Sequence, residues 1–188
     1  MAHLITDIRL EPLVEESCYL QTRRMHYSHN GVVKTWDLAL VHDSVAGLLY
    51  DQEKQVFILV KQFRPPVWLK NHDGFTYELC AGICDKNVSE AQTMCEEIEE
   101  ECGYRVMPHQ LERITSFYTS VGFAGSRQTL FFAYVDETMR CSEGGGIDNE
   151  LIEVIELPLQ QGHDFMFDEK QAKTPGLLFA FSWFFSRV

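Results

Sequence analysis

The sequence is poor in positive charge: against 28 Asp and Glu it carries 16 Lys and Arg, a formal net charge of -12. A phosphate-backbone partner needs a basic face that this balance hardly supplies, so no nucleic-acid ligand is expected. Long apolar runs are missing as well. No stretch approaches the ~20 residues that span a bilayer, so no membrane insertion is expected. The opening residues, Met1-Ala2-His3-Leu4-Ile5-Thr6-Asp7, show no basic segment followed by an apolar one, and no export signal is expected either. Zinc-ligand spacing is absent: Cys18, Cys80, Cys84, Cys95, Cys102 and Cys141 lack flanking Cys/His partners, mostly sit inside apolar patterns, and read as reduced thiols of a cytoplasmic protein. The histidines are dispersed too widely to form a ligand set. An acidic chain can still bind a small phosphate ester if a metal ion and a few arginines gather in one pocket.

At 188 residues the chain can bury one good core with a small appended lobe. Apolar alternation predicts strands over 4–13, 18–27 and 32–41, with His29-Asn30-Gly31 as a hairpin turn. This 1–43 lobe is too small to hold a core alone. It is expected to pack on the rest of the chain or on a second copy, as a dimerisation element. Residues 44–188 form the main domain, with predicted strands at 45–49, 55–60, 75–79 and 129–135 and a strand-like run after Glu150. One helix is sharply marked. Ser89 caps it in a Ser-x-x-Gln box with Gln92, Ala91, Met94, Cys95, Ile98 and Cys102 share an apolar face, and Gly103 stops it. A second helix is predicted at 177–185, and 141–149, with Gly144-Gly145-Gly146, reads as a mobile loop.

Glu97, Glu100 and Glu101 stand at i, i+3 and i+4 on the first helix, so their carboxylates crowd an arc of about 100°. Like charges so spaced destabilise a helix by ~0.2–0.5 kcal/mol per pair. A hard divalent cation reverses that sign, because clustered oxygen ligands suit it. The helix alone favours the blander reading, a solvated acidic face, over a metal site.

The surroundings of the helix narrow the choice. Glu78-Leu79-Cys80-Ala81-Gly82, a loop, and then Glu96-Glu97-Ile98-Glu99-Glu100-Glu101-Cys102-Gly103-Tyr104 resemble the signature of the Nudix hydrolase family, with the spacing from Gly82 to Glu97 matched without a gap. The resemblance implies an α/β fold, a Nudix α/β/α sandwich with a mixed sheet preceded by the small β-lobe. It further implies Mg²⁺, with Mn²⁺ as the alternative, held by Glu97, Glu100, Glu101 and the Ala81 carbonyl. Two positions depart from the pattern: Glu96 stands where the family has Arg, and Val88 where it has Glu. Those family residues brace the loop.

Further segments, Val60 to Pro66, Val121 to Thr129 and Glu150 to Val154, are similar to the UDP-sugar pyrophosphatases of the family, relatives of its ADP-ribose pyrophosphatases. On that resemblance Arg64 and Arg127 contact substrate phosphate and Trp36 stacks on the base, across a homodimer interface. Glu150 then adds a loop carboxylate as base or metal ligand. Asp148 and Glu143 are alternatives on the same loop. The residues also admit blander roles: a salt bridge for Arg127, sheet packing for Trp36, a solvated charge for Glu150. Trp68 is placed as a pocket-lining candidate and Trp183 in the core. The implied reaction is UDP-glucose plus water giving UMP and glucose 1-phosphate. The alternatives are an ADP-ribose pyrophosphatase and, from another class, a non-catalytic Nudix-fold nucleotide-binding module.

Overall fold

A computed structural model describes residues 5–13, 15, 17, 20–147 and 150–187, and the chain divides into two compact units. The smaller comprises Met1–Val41 with Ser120–Gly125. Its β1 (Gln21–His29) and β2 (Val32–Leu40) pair antiparallel through a turn in which Asn30 (φ 52°) and Gly31 (φ 79°) both take the positive φ of a type I′ hairpin. Arg24 faces Asp37 across the ribbon and grips it with two hydrogen bonds of 2.6 and 2.8 Å. The 120–125 segment joins β2 through Ala39 N–H, which donates to the Phe123 carbonyl at 2.7 Å. Residues 5–13 form no strand, although their alternation predicts one: the pattern is present, but no neighbouring strand pairs with it. Of the predicted 18–27 strand, residues 21–27 lie in β1, and Cys18 lies outside the described residues.

The larger unit is built on a mixed sheet. Its strands are β3 (Ser44–Asp51), β4 (Val56–Phe63), β5 (Phe75–Glu78), β6 (Cys80–Ile83), β7 (Glu112–Tyr118), β8 (Arg127–Val135) and β9 (Ile152–Pro158). The order is β5-β4-β3-β8-β7, with β6 on β3 and β9 on β4. Only β3 and β8 run parallel; the other pairs are antiparallel.

Period-two alternation sends side chains to two cores. Val45, Leu49, Ile58, Val60, Phe131 and Ala133 meet Met94, Cys95, Ile98 and Cys102 on one face. On the other, Ala46, Leu48, Phe57, Leu59, Leu130 and Phe132 meet Leu177, Ala180, Phe181 and Phe184. Helix α2 (Glu90–Glu97) therefore covers one face and α4 (Pro175–Phe185) the other, which is the α/β/α sandwich expected from the sequence. Gly47 belongs to the α2 side. A Cβ there would stand 3.1 Å from the Met94 sulfur, so its bare backbone lets the helix settle against the sheet. Helices α1 (Pro65–Asn71) and α3 (Leu159–Phe167) complete the unit.

Candidate active site

Helix α2 opens as its cap residue dictates: the Ser89 hydroxyl accepts from Gln92 N–H at 3.1 Å. The reciprocal half of the expected capping box does not form, because the Gln92 side-chain amide donates to Glu96 at 3.1 Å. The helix does not run on as a plain α-helix. Ile98–Cys102 winds as a wide π-type turn, closed by Gly103 at φ 76°, whose N–H reaches back to the Glu99 and Ile98 carbonyls. Such turns are rare and recur at functional sites.

The wide turn also explains the glycine loop. Gly145 N–H donates to the Glu101 carbonyl at 2.8 Å and Gly146 N–H to that of Glu100 at 3.1 Å, while Cys141 and Ser142 donate to Gly103. A Cβ on Gly144 would lie 2.3 Å from the Glu101 carbonyl oxygen, so only glycine allows this approach. The segment expected to be mobile is thus anchored on helix carbonyls that would otherwise lack partners. It delivers Glu150, whose carboxylate accepts from Ile147 N–H at 3.2 Å and acts electrostatically on Glu97, Glu101 and Arg64. Glu143 turns to Arg140, 3.0 Å away, and Asp148 lies outside the described residues.

The three helix carboxylates occupy different surroundings. Glu101 is buried, 5% exposed, and accepts from Ala81 N–H at 2.9 Å. Ala81 lies opposite Ala46 in the β3–β6 pair. In an antiparallel pair a residue's N–H and C=O point the same way, so the Ala81 carbonyl also faces away from β3, toward the side of Glu101. Glu97 rests on Gly82: a Cβ at that glycine would fall 1.9 Å from a Glu97 carboxylate oxygen. Burial, and then repulsion from Glu101 and Glu100, pushes the Glu97 carboxyl up to about 7. Burial likewise pushes Glu101 up to about 7, against the Ala81 N–H and the Cys80 thiol, which favour its ionised form.

These raised values set a pH dependence for the metal-free protein. The folded state holds protons on Glu97 and Glu101 that the unfolded chain, with carboxyls near 4.5, has already released. The stability they contribute is present below about pH 4.5 and is lost as pH rises to about 7. Metal-free Tm should therefore fall across that window in a thermal melt series, with added divalent cation recovering it at neutral pH; a Tm that rises from about pH 5 to about pH 7.5 would contradict this.

Arg64, at the N-terminus of α1 and ahead of Pro65 and Pro66, reaches Glu78 with Nε and Nη2, at 2.8 and 2.9 Å. Glu78 is itself buried, and the Thr76 hydroxyl donates to it at 2.5 Å. This clamp fixes the inner edge of the guanidinium and leaves Nη1 for a ligand. No local pattern in the sequence marks Glu78 as the partner of Arg64. The alternation Phe75-Thr76-Tyr77-Glu78 suggests that Thr76 and Glu78 face solvent, whereas they are the buried pair.

The structure therefore gathers Arg64, Glu78, Glu97, Glu100, Glu101 and Glu150. Arg127 is engaged elsewhere: its guanidinium pairs with Glu90 at 2.6 Å, and its N–H donates to Asp43 at 2.8 Å. Trp36 belongs to the smaller unit, where its indole N–H donates to the Gly122 carbonyl at 2.9 Å. Trp68 makes an edge contact with His72, and Trp183 packs against Phe132 beneath Arg187.

Among the described residues no three acidic, His or Cys side chains already stand as a closed ligand cage. The donor chemistry nevertheless fits a hard divalent ion: neighbouring carboxylates that burial, and then mutual repulsion, disposes to hold protons, beside a strand carbonyl free of its ladder.

The profile of the NUDIX domain matches residues 40–175. The chain belongs to the Nudix family. Uridine diphosphate glucose pyrophosphatase NUDT14 of Bos taurus is 40% identical to this Nudix chain, over 92% of it and 90% of the relative. The Mus musculus protein of that name is 38% identical over 94% and 92%. GDP-mannose pyrophosphatase of Cronobacter sakazakii is 40% identical over 63% of the chain and 61% of its own length. The Nudix match spans the core on the α2 side and every clustered carboxylate, and ends at the start of α4, whose Leu177, Ala180, Phe181 and Phe184 lie beyond it. No described helix is long and apolar enough to cross a membrane.

Proposed function

We propose that this Nudix hydrolase cleaves the diphosphate of a nucleoside-diphosphate sugar, UDP-glucose plus water giving UMP and glucose 1-phosphate. The observation that carries the reading is the convergence of Glu97, Glu100, Glu101 and Glu150 with an arginine whose free edge is preset by Glu78. Relatives that act on UDP-glucose and GDP-mannose by name support the nucleotide-sugar class. The UDP-glucose relatives align with nearly the whole chain and the GDP-mannose relative with 63% of it, which favours uridine.

Glu97, Glu100, Glu101 and the Ala81 carbonyl would hold Mg²⁺, or Mn²⁺ in its place. The bound cation supplies charge neutralisation on the diphosphate and a more acidic water. Arg64 grips phosphate oxygens with Nη1 and the outer N–H of Nη2, a planar donor pair suited to them. Glu150 takes a proton from the attacking water or adds a further oxygen ligand. The Gly144–Gly146 contacts hold it over the turn that carries the other carboxylates. Arg127, from its pairing with Glu90, has a structural role beside its proposed phosphate contact, and Trp36 offers its exposed ring face to the base. The protein is proposed to act in the cytoplasm as a homodimer through its N-terminal lobe.

A substrate panel assayed with Mg²⁺ tests the class. UDP-glucose is expected to give the highest kcat/KM; strong preference for ADP-ribose or GDP-mannose over every UDP-sugar would overturn the choice. In the same assay Arg64→Ala should raise KM for the preferred substrate by about 10- to 100-fold, the worth of charge-assisted hydrogen bonds to phosphate.

A further inference from the structure

The two departures from the family signature, Glu96 and Val88, have a counterpart in the structure. Lys86, on the loop between β6 and α2, places Nζ 2.8 Å from Glu96 Oε2, and Gln92 Nε2 holds the other Glu96 oxygen at 3.1 Å. The loop has little else to hold it. Residues 85–88 are all described and exposed, and the Lys86–Glu96 contact is the one hydrogen bond they make. At its two ends the loop is tied by Cys84 N–H to the Asp43 carbonyl and by the Ser89 cap. Between those ties the chain passes from Gly82, on which the Glu97 carboxylate rests, to the helix that carries Glu97. Lys86 also lies within electrostatic reach of Glu97 and Glu100.

From this geometry we infer that Lys86 and Glu96 are positioning residues: a charge-reversed strap that pins the 83–89 loop to α2 and thereby sets Glu97 over Gly82 for the metal. The inference rests on the proposed metal-binding role of Glu97, Glu100 and Glu101. An exposed ion pair adds little to global stability, so its effect should appear in ligand geometry rather than in folding.

Charge reversal separates a strap from simple electrostatics. If only through-space charge mattered, Glu96→Lys would weaken cation binding and Lys86→Glu would strengthen it. A strap requires both single variants to weaken it and the double variant Lys86→Glu/Glu96→Lys to restore it. Mn²⁺ binding, followed by electron paramagnetic resonance of the free ion, reads this without turnover. Each single reversal is expected to weaken Mn²⁺ binding by about 10-fold or more, the usual cost of disturbing groups that orient metal ligands. kcat should fall more than KM rises, Tm should move little, and the double variant should return to within about threefold of the parent, restoring most of what each single reversal costs.

Opposite signs for the two single variants, or a double variant no better than the worse single, would overturn the strap. Glu97→Gln serves as the control. If it binds Mn²⁺ like the parent, the carboxylate reading itself fails. If it loses binding while Glu96→Lys keeps it, the strap alone fails.

Discussion

Glu101→Gln is expected to lower turnover of the preferred nucleotide sugar by about 10²–10³-fold or more, the scale of removing one preorganised group that stabilises transition-state charge. The substitution preserves volume and a hydrogen-bonding oxygen for Ala81 N–H, so the fold should survive. Glu101 is buried against Ala81 and the Cys80 thiol and holds a proton up to about pH 7 in the absence of metal. Replacing a carboxyl already protonated there by a neutral amide changes the metal-free protein little. Metal-free Tm near neutral pH should therefore hold or rise, while the stabilisation by added Mg²⁺ disappears. Steady-state kinetics beside thermal melts checks both halves. Substantial activity retained with a normal Mg²⁺ shift would remove Glu101 from the ligand set.

Gly82→Ala should be nearly as damaging, for a different reason. The backbone at Gly82 is not among the positive-φ glycines, so alanine meets no conformational strain there. Its one new atom would fall 1.9 Å from a carboxylate oxygen of Glu97, and a flexible side chain yields before a strand does. Glu97 must swing away. The expected result is a fall in kcat of about 10²-fold, with Tm shifted by only a few degrees, because a misplaced ligand costs catalysis rather than packing. A variant with full activity would mean that Glu97 is dispensable. One that fails to fold would mean that Gly82 serves the sheet instead.

The parts of this site that were legible in the sequence are those fixed by local rules. The capped helix with its apolar stripe, and the Glu97, Glu100, Glu101 spacing, follow from the 3.6-residue period, and the Asn30-Gly31 turn follows from its φ requirements. What was hidden depends on partners remote in the chain. Strand β6 is four residues long and marked only by its pairing with β3. The Glu78–Arg64 clamp joins the end of β5 to the residue that opens α1, and the alternation of β5 hides it by resembling a solvent-facing pattern. The loop glycines suggested freedom by composition, yet Gly144, Gly145 and Gly146 are needed because a backbone must approach the turn at Glu100 and Glu101. The apolar spacing of that turn, too, predicts plain α-helix; nothing in the local pattern announces its widening. Glu96 and Val88 read in sequence as the loss of a brace, whereas in the fold Glu96 meets Lys86, four residues beyond Gly82.

The most direct test of the account is a crystal structure with Mg²⁺ and a non-hydrolysable UDP-glucose analogue. The expected result is Mg²⁺ at about 2.0–2.1 Å from oxygens of the Glu97, Glu100 and Glu101 set, also bound by a diphosphate oxygen, with the Arg64 guanidinium on the same diphosphate. An ion bound elsewhere, with Glu101 still turned to Ala81 and Arg64 clear of the phosphates, would contradict it.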